Sequence, residues 1–456
     1  MGIEARPKIH GPLSNGRGWP FSCPVDDVTE RGYVMEEFLL EGQATSFRVP
    51  KGGVADRDGL WEVEPAETAP YVTRAYVVRP DDPARFNGVA VVNWQNVTAG
   101  FDLGAPLDGE IYRGYAWVGV TTQKIGVDGA AGLLPGMPST KGLLEWDPER
   151  YGALKHPGDA WSYDIFTQAG RAVRAGTELM GGLKPSLVLA SGESQSAMRL
   201  GSYLNAAHQG ARVYDGFHLT VHWGICPPLD EMDLMSMFGP EGAELPSPAT
   251  CAIRDDGGVP ILSVATECEA RFNLPVRQAE TDTFRFWEVA GASHESRTEA
   301  DAFAAIMARD EVTLSLPQPT DPNVIEWGFV NNAALRALVS WCRHGKVPAS
   351  HPRIEFEGDQ ARRDEFGNAK GGIRVPELTA PVASYLGERD EGMETWLLGK
   401  TTPLAADRLA RLYPEAGDRE RAWNRAVDAL VEQRLVVAED VEGLRARRSV
   451  ISGARL

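Results

Sequence analysis

The sequence predicts an α/β protein with a mostly parallel sheet and helices on both faces, and three observations predict it. Short apolar runs at 88–94, 116–121, 186–190, 260–265 and 284–289 are continuous rather than alternating. That pattern suits strands buried on both faces under helices. Segments 159–180 and 194–208 have apolar residues at helical spacing and lie between those runs, as a βαβ chain requires. Ahead of them, stretches at 33–40, 45–49 and 71–78 are rich in β-branched and aromatic residues between Gly and Pro breaks. Together they amount to about eight strands, antiparallel first and parallel after.

The 456 residues suffice for one large domain, and no internal repeat or low-complexity tract divides 1–456 into more. Segment 224–258, rich in Met, Pro and acidic residues, separates a helix from the next strand and is expected to form a lid. Residues 351–456 form a C-terminal extension. Its parts at 403–412 and 418–444 read as amphipathic helix, broken at Pro414 and Gly417. The extension is expected to cover the active site or to bury a face between two copies.

A net charge of −18 argues against nucleic acid as a partner, because phosphate binding needs clustered Lys and Arg. No apolar run of signal-peptide or membrane-spanning length occurs, so a cytoplasmic protein with no membrane contact is expected. The five cysteines are scattered, with no CxxC pair, so neither a zinc site nor a disulfide framework is expected. No Gly-rich phosphate loop or metal-ligand cluster stands out, and no cofactor is expected.

The chemistry centres on Gly192-Glu193-Ser194-Gln195-Ser196, which follows an apolar strand and opens a helical segment. Strand, sharp turn, helix is the setting of a nucleophile elbow, where a serine oxygen is held exposed at the carboxyl edge of the sheet. Small residues are needed two before and two after the serine. Gly192 meets this, and Ser196 replaces the usual second glycine. Read alone, the pattern could equally be a polar turn after a buried strand.

Later elements supply partners in the required order of nucleophile, acid, histidine. The strand ending at Thr266 is followed by Glu267-Cys268-Glu269, and the strand at 284–289 is followed by Gly291-Ala292-Ser293-His294. His294 is the expected base. Glu267 leaves the strand first and is preferred to Glu269 as the acid that orients it. The oxyanion hole is expected to combine the N–H of Gln195 with one from Asn96 or Val97, in the loop after the strand at 88–94. His222, near the lid, is a candidate substrate contact, with core packing as the simpler role. Trp94, Trp117, Trp161, Trp223 and Trp287 are read as core or pocket wall.

These residues resemble a group of α/β-hydrolase domain proteins whose elbow reads Gly-Glu-Ser-Gln-Ser. Similar phrases stand at 32–38, 71–80, 86–97, 115–120, 151–164 and 287–294, so the resemblance runs along most of the chain. It implies the α/β-hydrolase fold, supports Ser194 and His294, and favours Glu267 through the Thr266-Glu267 pair. Asn93 and Ala99 depart from the family pattern, which has Glu and Gly there.

The function expected is hydrolysis of a small-molecule carboxylic ester through a Ser-His-Glu triad and an acyl-enzyme. A lactonase or acyltransferase would use the same triad. An amidase or peptidase is a further reading, and a silent ligand-binding scaffold is the rival from outside catalysis.

Overall fold

The computed structural model describes residues 5–130, 139–230, 250–312, 319–389 and 397–453. One large sheet organises them. Its strands are β1 (Lys8–His10), β2 (Tyr33–Arg48), β3 (Glu64–Pro80), β4 (Val89–Trp94), β5 (Ala116–Val120), β6 (Leu187–Glu193), β7 (Gly216–Thr220), β8 (Ile261–Thr266) and β9 (Phe284–Val289). They lie in the order β1-β2-β3-β5-β4-β6-β7-β8-β9. Strands β1, β2 and β3 pair antiparallel, as does β3 with β5, and every later pair is parallel.

The sheet has nine strands among the described residues, and the difference from about eight has two sources. The expected strands at 33–40 and 45–49 are one continuous strand, β2, whose pairing with β3 slips between Thr45 and Phe47. Strands β1 and β7 are additional. The β7 segment Gly-Phe-His-Leu-Thr carries too few aliphatic residues to read as a buried run.

Alternation along the central strands divides the core between the two faces. In β4, Val89 and Val91 point to one face, while Ala90, Val92 and Trp94 point to the other. The first face is covered by the helix Gly328–His344 and by the C-terminal extension, through Ile354, Ile373, Tyr385, Trp423 and Leu430. The second is covered by the helices Ser162–Arg174 and Gln195–Ala206. Residues buried on both sides explain why these strands read as unbroken apolar runs.

The extension packs into the same core as the sheet, and a parallel bridge between Val289 and Ile373 lengthens the β9 edge. Its helical part ends as Ala406–Leu412, Asp418–Glu432 and Val441–Gly453. The helix expected over 418–444 is interrupted near Arg434, which has φ 61°. Of the expected lid at 224–258, the two stems are joined by a bridge between Ile225 and Thr250, while its Met-rich stretch at 232–237 lies outside the described residues. Among the described residues, no helix is long and apolar enough to cross a membrane.

Strand β4 lies between β5 and β6, so the chain leaves β4 to one side and later returns on the other. Such a switch point opens a crevice at the carboxyl ends of the strands. The loops after β4 and β6 therefore meet there, with those after β7, β8 and β9 alongside.

Candidate active site

The elbow forms where β6 gives way to the helix Gln195–Ala206. Ser194 joins them with φ 55° and ψ −118°, a conformation L-residues avoid and which costs about 1–3 kcal/mol. Four hydrogen bonds hold it. Ser194 N–H donates to the carbonyl of Thr220 at 2.9 Å. Asn96 Nδ2 donates to the carbonyl of Glu193 at 3.0 Å. Ser196 Oγ accepts from Glu193 N–H at 2.8 Å and donates to the Glu193 carbonyl at 2.9 Å. At about 1 kcal/mol net for each bond, the clamp is comparable with the strain. Ser196 is thus more than a small residue tolerated in place of glycine. Gly192 has no such latitude: a Cβ there would lie 2.8 Å from the Ser196 carbonyl oxygen and 2.9 Å from Leu200.

His294 is buried in the turn after β9, and its Nδ1 lies 2.6 Å from Glu269 Oε1. The other oxygen of Glu269 accepts from the N–H of Thr266 at 2.8 Å and from its hydroxyl at 2.7 Å. Thr266 and Glu269 form a capping box at the start of the helix Glu267–Asn273, so one carboxylate both closes the helix and holds the imidazole.

Glu267, expected as the acid, does not reach His294. Its Oε2 accepts from Gly291 N–H at 2.9 Å, and its Oε1 accepts from Arg363 at 2.7 Å and from Gly387 N–H at 3.2 Å. It braces the histidine loop against the C-terminal extension. The reason is local: Thr266 is the N-cap, and the first helical turn aims Glu267 away and brings Glu269 back over the strand end.

Burial pulls the His294 pKa down, but the charge of Glu269 and its hydrogen bond, with the charges of Glu295 and Glu193, outweigh this and leave it above the ordinary histidine value. The neighbouring carboxyl groups are shifted upward as well, here by burial itself. Burial raises Glu193, Glu295 and Glu299 above the usual range, and the charge of Glu193 raises Glu299 further. Asp108, held by Asn331 Nδ2 at 3.2 Å, is pushed up to about 7 by burial and then by Glu193.

The expected oxyanion donors fare differently. Gln195 opens its helix, where backbone N–H groups lack helical partners. Asn96 cannot serve through its N–H, because that group donates to the Leu103 carbonyl at 3.1 Å. Among the described residues, the N–H of Val97 meets only the side-chain oxygen of Gln195, at 3.3 Å. A long contact to a side chain can give way to an oxyanion far more readily than a backbone bridge can.

His222 is buried, with Nδ1 accepting from Gly224 N–H at 3.0 Å and its carbonyl accepting from Asn273 Nδ2 at 2.7 Å. Those two contacts give it a part in shaping a turn, while its Nε2 is buried and meets no hydrogen-bond partner among the described residues. That turn presents Trp223, expected from the sequence as core or pocket wall. The Trp223 indole N–H donates to Ser194 Oγ at 3.3 Å, and its ring stacks on His294 at 5.0 Å and 28°. Ser194 and His294 therefore meet at one tryptophan.

The signal that could have found Glu269 is the Thr-x-x-Glu spacing itself, which directs the fourth residue back to the strand end. Nothing in the sequence marks Trp223 beyond its place after a strand of the same sheet edge. No group of three His, Cys, Asp or Glu among the described residues is arranged to hold a metal ion.

A family model described as Alpha/beta hydrolase domain matches residues 9–446. No curated protein matches the chain. Solved structures with some likeness to it include an esterase of Pyrobaculum calidifontis, at 14% identity and TM-score 0.28 over 54% of this chain and 75% of that one. Esterase Est22 shares 14% identity at TM-score 0.32, over 62% of this chain and 82% of its own. The rice cell wall degrading esterase LipA from Xanthomonas oryzae shares 12% identity at TM-score 0.24. There the match covers 42% of this chain and 44% of LipA.

Proposed function

The chain belongs to the α/β-hydrolase domain family, and from that premise we propose that it is a serine hydrolase cleaving a small carboxylic ester through an acyl-enzyme at Ser194. The observation that carries this reading is the 2.6 Å contact between Glu269 and Nδ1 of His294. It leaves Nε2 to take the proton of Ser194, whose Oγ shares Trp223 with the same imidazole.

In this mechanism His294 removes the Ser194 proton as Oγ attacks the ester carbonyl. Glu269 holds the imidazole in the needed tautomer and stabilises the imidazolium that forms. The N–H of Gln195 and that of Val97 receive the oxyanion, the latter once the Gln195 side chain yields. His294 then protonates the departing alcohol, and water releases the acyl group by the same steps in reverse. No step calls on a cofactor.

The test is hydrolysis of p-nitrophenyl esters beside the matching anilides. Ester turnover well above anilide turnover, reduced at least about a thousandfold in Ser194→Ala, is the expected result. A Ser194→Ala protein that keeps wild-type turnover refutes the reading.

A further inference from the structure

Trp223 is held by a turn that the chain strains to make. Val221, β-branched and buried, has φ 48°, a conformation such residues rarely adopt. Its N–H is anchored to the Val264 carbonyl at 2.7 Å. Gly224 follows with φ 70°, where a Cβ would lie 2.9 Å from the Phe272 carbonyl oxygen. Asn273 ties the turn to the helix Glu267–Asn273, the helix that carries Glu269. Phe272 of that helix meets the indole edge-on at 5.2 Å and 78°. One short helix thus fixes both the acid of His294 and the seat of Trp223. Backbone strain maintained beside a reactive serine calls for a reason.

The geometry of the indole supplies one. An indole nitrogen can only donate, so Ser194 Oγ accepts from it and keeps its own hydrogen for another partner. The ring face, meanwhile, lies nearly parallel to the imidazole. Removal of the Ser194 proton by His294 places negative charge on the oxygen at the indole edge and positive charge on the ring at the indole face. Both charges appear where Trp223 favours them, through N–H donation to the anion and cation–π attraction to the imidazolium.

Resting on the serine-hydrolase reading above, we propose that Trp223 is a further catalytic residue, its indole N–H stabilising the developing Ser194 alkoxide and its face the developing His294 imidazolium. The proton passes from Ser194 Oγ to His294 Nε2 as the Oγ–carbon bond forms and the carbonyl π electrons move to oxygen. Trp223 itself gains and loses nothing. It is already in place before the substrate arrives, so little reorganisation accompanies the charge separation.

The experiment measures fluorophosphonate labelling rates and ester kcat/KM against pH in the wild type, Trp223→Phe and Trp223→Leu. Thermal melts are run in parallel to exclude misfolded samples. Phenylalanine keeps a ring face and loses the N–H, so labelling and kcat should fall about tenfold with KM unchanged and the acid limb unmoved. Leucine loses both and should fall further, by about 30–100-fold. Its acid limb should also move to lower pH, because the imidazolium loses its support. Phe at the wild-type rate, a loss carried wholly by KM, or a Leu profile whose limb stays or rises would each overturn the proposal. A wild type that never labels at Ser194 would instead sink the underlying hydrolase reading.

Discussion

The turn after β6 and the turn after β8 both lead from a strand into a helix at the same edge of the sheet, yet they are built in opposite ways. At the first, Ser194 is the joint, strained at φ 55° and lacking a side-chain cap. At the second, Thr266 is an unstrained extended residue in a complete capping box. An oxygen that must be exposed to attack requires backbone bent out of its ordinary range, with neighbours such as Ser196 and Asn96 restraining it. A carboxylate that must hold a charge requires the reverse, a helix start in which its orientation is fixed by hydrogen bonds it would make anyway. The difference teaches that the two turns fail in different ways when altered.

The sharpest test of that contrast substitutes the two glutamates separately. Glu269→Gln should lower ester kcat/KM by about 10²–10⁴-fold, since an amide can stabilise the wrong tautomer and carries no charge for the imidazolium. Glu267→Gln should leave kcat within about tenfold while lowering stability by about 1–3 kcal/mol, because a bonded partner of Arg363 and Gly291 is lost. Steady-state kinetics with denaturant melts of both proteins checks this, and a reversal of the two effects would restore Glu267 as the acid.

A smaller effect is expected in the pH profile. The base form of His294 is the active one and its pKa lies above the usual 6.5, so kcat/KM should rise with pH through a limb centred above that value. Glu269→Gln should move the limb to lower pH, since removing the carboxylate withdraws support from the protonated ring. A limb that stays in place in this variant would uncouple Glu269 from the base.

The smallest effect concerns the elbow. Ser196→Gly restores the residue more often found there and removes both hydrogen bonds to Glu193. Stability should fall by about 1–2 kcal/mol in a urea melt, with a modest loss of activity. Unchanged stability would mean that the strain at Ser194 is held without the clamp.

Much of this frame was legible in the sequence because its determinants are local. The parallel strands other than β7 announced themselves as apolar runs, and Gly192 through Ser196 carried the elbow in five consecutive residues. What escaped depended on distant partners or on competing local forces. The choice between Glu267 and Glu269 turned on Thr266 acting as an N-cap, and on Arg363, 96 positions along the chain, claiming Glu267. Asn96 was removed as a backbone donor by Leu103, a pairing that no spacing rule marks. Trp223 looked like any buried aromatic, because the strain at Val221 that aims it is a property of backbone angles. The upward push of Glu193 on Glu299 likewise joins the end of β6 to a helix far along the chain.

The most direct measurement is labelling by a fluorophosphonate, with the modified peptide identified by mass spectrometry in the wild type, His294→Ala and Ser194→Ala. The account predicts one adduct on Ser194, formed much more slowly in His294→Ala and absent in Ser194→Ala. A folded wild-type protein that takes up no label, or takes it up at a serine other than Ser194, would contradict it.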